Sequence, residues 1–164
     1  MLTVDLILKA ENVAKKYSVS REEQDLFALT SQQKCEAAQN AGYFNEEIVP
    51  VSITTRQGTK VVNKDEFPRQ GCSIEALQKL RPASVKDGTG TVTAGNASGL
   101  NGGAAVCVLM SAEEARNRSL QPLCRIVSWA QAGVDPAIMG KGPVDATRKA
   151  VSCSMICSHK EFLW

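Results

Sequence analysis

Histidine is the scarcest chemically useful residue in this 164-residue chain: His159 is the only one. A serine or cysteine nucleophile needs a base within reach, most often histidine. His159 stands two residues after Cys157 near the end of the sequence. A Cys/His dyad can be written there, but side chains so close in sequence seldom face each other productively, and the residue reads as an exposed tail histidine. An excess of one charge is also missing, with Lys+Arg 19 against Asp+Glu 17 and a net charge of +2. Nothing in that balance drives binding to nucleic acid or to an acidic membrane surface. No stretch reaches the ~20 apolar residues that a membrane-spanning helix needs. The first residues, Met1 to Lys9, lack a basic leader and carry Asp5 within a short apolar run, so no signal peptide is expected. Repeats and low-complexity blocks are absent.

What remains is ordinary globular composition, 43% hydrophobic and 22% charged, in a chain long enough to build a core. Cys35, Cys72, Cys107, Cys124, Cys153 and Cys157 are scattered through helix-like and strand-like runs rather than spaced as a disulfide framework. Reduced thiols and a cytoplasmic location are expected. Cys153, Cys157 and His159 supply three soft ligands without a fourth, at a spacing that fits no zinc finger or ribbon, so no metal site is expected. The acidic pairs Glu22-Glu23, Glu46-Glu47, Asp65-Glu66 and Glu113-Glu114 fall at helix starts or turns and read as solvated surface.

Capping and turn signals divide the chain. Ala10 to Tyr17 is helical, and Ser20 with Glu23 forms a capping box that opens a helix over about 21–41, ended by Gly42. Ala28, Cys35, Ala38 and Ala41 share a face beside Phe27, which predicts core packing there. Glu47 to Ile53 reads as an edge strand, because Pro50 cannot donate to a ladder, and it turns through Thr55 to Gly58 into Lys60–Asn63. Ser73 caps a short helix over 74–80. Thr91–Thr93, Ala104–Met110 and Leu123–Trp129 are strand-like, the second a continuous apolar run suited to a doubly covered sheet. Ser111 and Glu114 open a helix to about Arg118, and Pro143 opens another to about Val151. Strand and helix alternate through the second half, which predicts an α/β fold.

Gly88, Gly90, Gly95, Gly99, Gly102 and Gly103 are half of the twelve glycines, gathered between two strand-like runs. Such a loop either approaches a ligand closely or makes tight turns. Neither GxGxxG nor GxxxxGK[ST] is present. The run Thr91-Val-Thr-Ala-Gly-Asn-Ala-Ser-Gly-Leu-Asn-Gly-Gly-Ala-Ala-Val106 instead resembles the signature of the thiolase family, biosynthetic branch. Ala10-Glu-Asn-Val-Ala14, Ser20-Arg-Glu-Glu-Gln-Asp25, Glu47-Ile-Val-Pro-Val51, Asp65-Glu-Phe-Pro-Arg69, Pro122-Leu-Cys-Arg-Ile126 and Met139-Gly-Lys-Gly-Pro143 follow the same family in order, so the likeness covers about 10–151.

The resemblance implies a partial, layered α/β fold: 1–90 as a segment of the loop domain, 91–118 as the end of the first half, 119–151 as the start of the second, and 152–164 as a divergent tail. It implies acetyl transfer between coenzyme A thioesters, which are substrates, with no separate cofactor. Arg69 resembles the arginine that meets coenzyme A phosphate, where its planar fork suits the anion. Ser98 resembles the serine that contacts the pantetheine arm, beside Ala94, Ala97 and Gly99. Cys72 occupies a position that contacts coenzyme A in relatives, where it is usually more polar. Gly102 stands where the family has Asp, which removes a carboxylate from the loop.

The family's nucleophilic cysteine motif and its Asn-Glu-Ala-Phe, Gly-His-Pro and Cys-x-Gly-Gly-Gly motifs are absent from these 164 residues. No residue here is assigned to catalysis, and the chain alone is expected to be inactive. Two other readings stand beside this one: a non-catalytic protein that binds coenzyme A or pairs with full-length thiolase subunits, and a truncation product without function.

Overall fold

The computed structural model describes residues 2–85 and 87–153. Cys157, His159 and the rest of 154–164 lie outside the described residues, as does the Cys153 side chain. The chain divides into two compact units, Met1–Gly99 and Leu100–Trp164.

In the first unit, α1 spans Leu2–Tyr17, longer than the expected 10–17. Ile7 and Val13 are half-buried on the same side as Ala14, the apolar stripe that an amphipathic helix turns inward. Ala14 is buried, and the last turn carries Lys15 and Lys16, whose charges favour a helix C-terminus. Ser18, at φ 55°, ends the helix. The capping box of α2 (Arg21–Asn40) forms in both directions: the Glu23 amide donates to Ser20 Oγ at 3.1 Å and the Ser20 amide donates to Glu23 Oε2 at 2.7 Å. Ala28, Cys35 and Ala38 are half-buried, whereas Ala41, expected on the same face, is exposed at the C-cap. Phe27 is not part of that packing, contrary to expectation: it is 80% exposed, because the face of α2 that turns inward is the one bearing Arg21 and Asp25.

β1 (Val51–Thr55) and β2 (Gly58–Val62) pair antiparallel, with Val51 opposite Val62 and Thr55 opposite Gly58. The ladder begins one residue after Pro50, later than the expected Glu47. The Glu47 and Ile48 amides are already committed to the Phe44 carbonyl at 3.1 Å in the preceding turn. α3 (Ile74–Gln78) is capped by Ser73 and packs against α2 with Leu77 buried. Thr91–Thr93 forms no strand: Thr93 makes a single bridge to Pro82, supported by the Ala83 amide donating to Val92 O at 2.9 Å. The hydrogen bonds that a second strand would accept are taken instead by side chains.

In the second unit, α4 (Ala112–Asn117) starts at its expected cap, Ser111, which accepts from the Glu114 amide at 3.1 Å. A 3-10 segment over Pro136–Lys141 leads into α5 (Gly142–Cys153), with Pro143 in its first turn. Ser128 Oγ donates to Ala150 O at 2.8 Å and Lys149 Nζ to Gln131 O at 3.3 Å, which fastens α5 to the extended segment 128–134. Ala104–Met110 and Leu123–Trp129 belong to no ladder, against expectation. Val106 is 95% exposed, and Val108, Leu123 and Trp129 are also exposed. An apolar run states that its faces need cover but does not supply the neighbour, and among the described residues no strand lies beside either segment.

Candidate functional site

All six residues expected to contact coenzyme A lie in the first unit, on two loops: the segment before α3 and the glycine-rich turn Thr93–Gly99. The turn is built around Thr93, which is fully buried. Its Oγ1 accepts from the amides of Gly95 (3.2 Å) and Asn96 (3.3 Å), and its carbonyl accepts from the Ala97 amide at 3.0 Å. Asn96 Oδ1 closes the ring by accepting the Thr93 amide at 2.7 Å. Threonine and asparagine suit this place because their short polar side chains bond backbone groups two or three residues away.

The helices hold that turn from beneath. Asn96 Nδ2 donates to Asp25 Oδ1 at 2.9 Å and to Thr91 O at 3.1 Å. The second oxygen of Asp25, itself fully buried, accepts from Arg21 Nε at 2.7 Å. Arg21 Nη2 continues to the carbonyls of Leu77 (2.9 Å) and Leu80 (3.1 Å) at the end of α3. Glu11 of α1 accepts the Thr91 amide at 2.9 Å, the Val92 amide at 2.8 Å and the Thr91 hydroxyl at 2.8 Å. Gln24 Nε2 donates to Thr91 Oγ1 at 3.0 Å. The buried carboxylate of Asp25 therefore meets partners on both oxygens, the condition under which such a group is tolerable away from water.

Within the turn, glycine allows close approach at two points. A Cβ on Gly95 would lie 2.5 Å from Leu80 Cδ1 and 2.6 Å from Leu77 Cδ2, so the turn rests directly on α3. A Cβ on Gly99 would lie 2.8 Å from Phe67 Cε2, so the ring before Arg69 lies against the far end of the turn.

The structure brings Arg69 and Ala94 together: Arg69 Nη2 donates to Ala94 O at 3.4 Å, a long bond that holds the side chain beside the loop. Arg69 is exposed and has no carboxylate partner among the described residues, which leaves its remaining donors available to an anion. Its backbone is fixed from α2, its amide donating to Gln32 Oε1 at 2.9 Å. Gly71 is held in the same way by Glu36 Oε2 at 3.1 Å. Ser98 is exposed, its hydroxyl only 3.4 Å from the Gly99 carbonyl. Ala97 and Gly99 are half-buried and Ala94 is exposed. Cys72 is half-buried, and it, Cys35, Cys107 and Cys124 are free of disulfides.

The arrangement presents a smooth, small-residue backbone rim with one serine hydroxyl and a neighbouring guanidinium. A thin amide-bearing chain can lie on such a rim while an anionic group meets the arginine. No group of three or more metal-ligating side chains occurs among the described residues. Gly102 lies in the second unit, where a Cβ would meet nothing within 4 Å.

Sequence reasoning missed the supports: it gave no role to Glu11, Arg21, Gln24, Asp25 or Asn96. The one local signal was the Arg21/Asp25 pair at i,i+4, and charged pairs at that spacing are usually solvated.

Comparison with known proteins gives the family and the fold. Residues 4–113 match the family model described as Thiolase, N-terminal domain. The cytosolic acetyl-CoA acetyltransferase of Rattus norvegicus is 55% identical over 145 residues, 88% of this chain and 36% of that protein. The acetyl-CoA acetyltransferase of Rhizobium meliloti is 59% identical over 144 residues, again 88% and 36%. The crystal structure of the Bacillus anthracis acetyl-CoA acetyltransferase superposes with a TM-score of 0.80 at 50% identity, over 91% of this chain and 37% of that one. The chain thus spans little more than a third of the length of these relatives and carries a partial α/β thiolase fold.

Proposed function

Because this chain belongs to the thiolase family, we propose that it carries the coenzyme A-holding part of an acyl-CoA acetyltransferase, a protein that transfers acetyl groups between coenzyme A thioesters. In this reading Ala94, Ala97, Ser98 and Gly99 carry the pantetheine arm, Arg69 meets a phosphate, and Cys72 lies at the margin. Residues 1–90 correspond to a segment of the loop domain, 91–118 to the end of the first half and 119–151 to the start of the second. A cytoplasmic location follows the name of the rat relative. Among the described residues no helix is long and apolar enough to cross a membrane.

The observation that carries the reading is the approach of Arg69 to Ala94, which sets an unpaired guanidinium beside the glycine-rich rim. Calorimetric titration of coenzyme A into the chain tests it. Binding is expected, weakened about tenfold by Arg69→Ala, the worth of a charge-assisted hydrogen bond. Absence of heat with the parent chain overturns it.

The four catalytic motifs of the family are absent from these residues, so the chain alone is expected to give no acetoacetyl-CoA thiolysis. Turnover that survives both Cys157→Ser and His159→Ala would show that the chemistry resides elsewhere in the sequence.

A second reading, pairing with thiolase subunits, is favoured by the exposed apolar runs Ala104–Met110 and Leu123–Trp129. Co-purification with an intact thiolase tests it, and a monodisperse chain that ignores the enzyme refutes it.

A further inference from the structure

We infer that Asp25 is a positioning residue for coenzyme A binding: through Asn96 it sets the shape of the Ala94–Gly99 rim without touching the ligand. The inference rests on the binding reading above and deepens it. Asp25 lies on α2 and is fully buried, one oxygen facing Arg21 Nε and the other facing Asn96 Nδ2. Asn96 is the centre of the turn. Its Nδ2 reaches Asp25 and Thr91 O while its Oδ1 takes the Thr93 amide, so its amide plane is determined by three partners at once. Asn96 sits between the two ends of the rim, Ala94 on one side and Ala97 to Gly99 on the other.

The charge on Asp25 has a specific consequence. A carboxylate accepts only, so it requires Asn96 to present its NH2 to α2 and thereby its oxygen to the Thr93 amide. A neutral amide at 25 removes that requirement, because asparagine offers either a donor or an acceptor. Asn96 can then turn over, the Thr93 amide loses its acceptor, and the rim opens into several conformations. Arg21 secures the same geometry from the other side, since its ties to Leu77 O and Leu80 O anchor Asp25 to the end of α3, on which Gly95 rests. The rim is consequently registered to two helices by one buried carboxylate. Binding to a preorganised rim avoids the ordering cost that a mobile one incurs on contact.

The test compares the parent chain with Asp25→Asn, Asn96→Asp and the exchanged pair Asp25→Asn/Asn96→Asp, each titrated calorimetrically with coenzyme A and followed by amide hydrogen exchange. Asp25→Asn is expected to raise Kd about tenfold at unchanged stoichiometry, the size of one charge-assisted hydrogen bond. It is also expected to speed exchange at the Thr93 and Asn96 amides. Asn96→Asp places carboxylate against carboxylate and weakens binding further. The exchanged pair restores the donor–acceptor match between the two positions and recovers part of the affinity.

A purely structural role would lower the stoichiometry, by reducing the folded fraction, and leave Kd unchanged. That result overturns the inference, as does an exchanged pair no better than Asn96→Asp alone. Failure of the parent to bind coenzyme A overturns the binding reading instead, and Thr93 and Asn96 exchange unaltered in Asp25→Asn overturns the positioning role independently of any ligand.

Discussion

Asn96 Nδ2 donates to Asp25 Oδ1 at 2.9 Å across 71 residues of sequence, which joins the most distinctive loop of the chain to the inward face of α2. The bond is part of a continuous path from Glu11 through Thr91 and Asn96 to Asp25, Arg21 and the C-terminal carbonyls of α3. The stability of the first unit and the shape of its rim therefore depend on the same few side chains.

Removing Asp25 altogether tests the stabilising side of that path. Asp25→Ala leaves the Arg21 charge and the Asn96 amide without their partner, and breaking such a buried pair costs about 3 kcal/mol. Urea denaturation should show the midpoint falling with an unchanged slope. A loss below roughly 0.5 kcal/mol, the scale of an ordinary surface substitution, would mean that water replaces the carboxylate.

Glu11 separates charge from hydrogen bonding. Glu11→Gln keeps an oxygen for the Thr91 and Val92 amides and a polar group for the Thr91 hydroxyl, so a loss of about 1 kcal/mol is expected. Glu11→Ala leaves two backbone amides without an acceptor and should cost about 2–3 kcal/mol. Equal losses in the two variants would refute the view that acceptor geometry is what matters.

The two glycines of the turn should respond differently. Gly95→Ala drives a methyl into Leu77 and Leu80, of which Leu77 is buried and cannot yield, so overpacking should cost about 1–3 kcal/mol. Gly99→Ala meets the Phe67 ring, which is partly exposed and free to rotate outward. Its effect should be smaller on thermal stability and larger on coenzyme A affinity. The reverse ranking would place the rim elsewhere.

Asp87 carries the pH dependence that can be read directly. The hydroxyl and amide of Thr89 both donate to its Oδ1, at 2.6 and 2.9 Å, and hold its carboxyl below the usual range. A folded value lower than the unfolded one contributes stability above the unfolded pKa, and that stability is lost as pH falls through the folded one. In a carboxyl-carbon NMR titration, Thr89→Val should move the Asp87 midpoint upward while the Thr89 amide retains part of the effect. An unmoved midpoint would assign the depression to other causes.

Local signals account for much of the secondary structure. The Ser20/Glu23 box, the Ser73 and Ser111 caps and the Thr55–Gly58 turn all involve groups at most four residues apart, so their chemistry is complete within a short window of sequence. The family likeness was legible for a similar reason, since the signature run and its flanking motifs appear as contiguous strings. Periodicity was less informative for α2. It marked the small-residue face and placed Phe27 with it, whereas the face of α2 that carries Asp25 is buried and Phe27 faces water.

By itself, then, the sequence determined the caps at Ser20, Ser73 and Ser111, the hairpin and the thiolase membership. Only the tertiary structure decided which charged residues turn inward, how Arg69 comes to Ala94, and that Ala104–Met110 and Leu123–Trp129 form no ladder among the described residues. The physical reason is range. A cap or turn is satisfied by atoms a few residues away, while a buried carboxylate or a strand edge is satisfied by atoms far along the chain, and its burial depends on whether those atoms are in place.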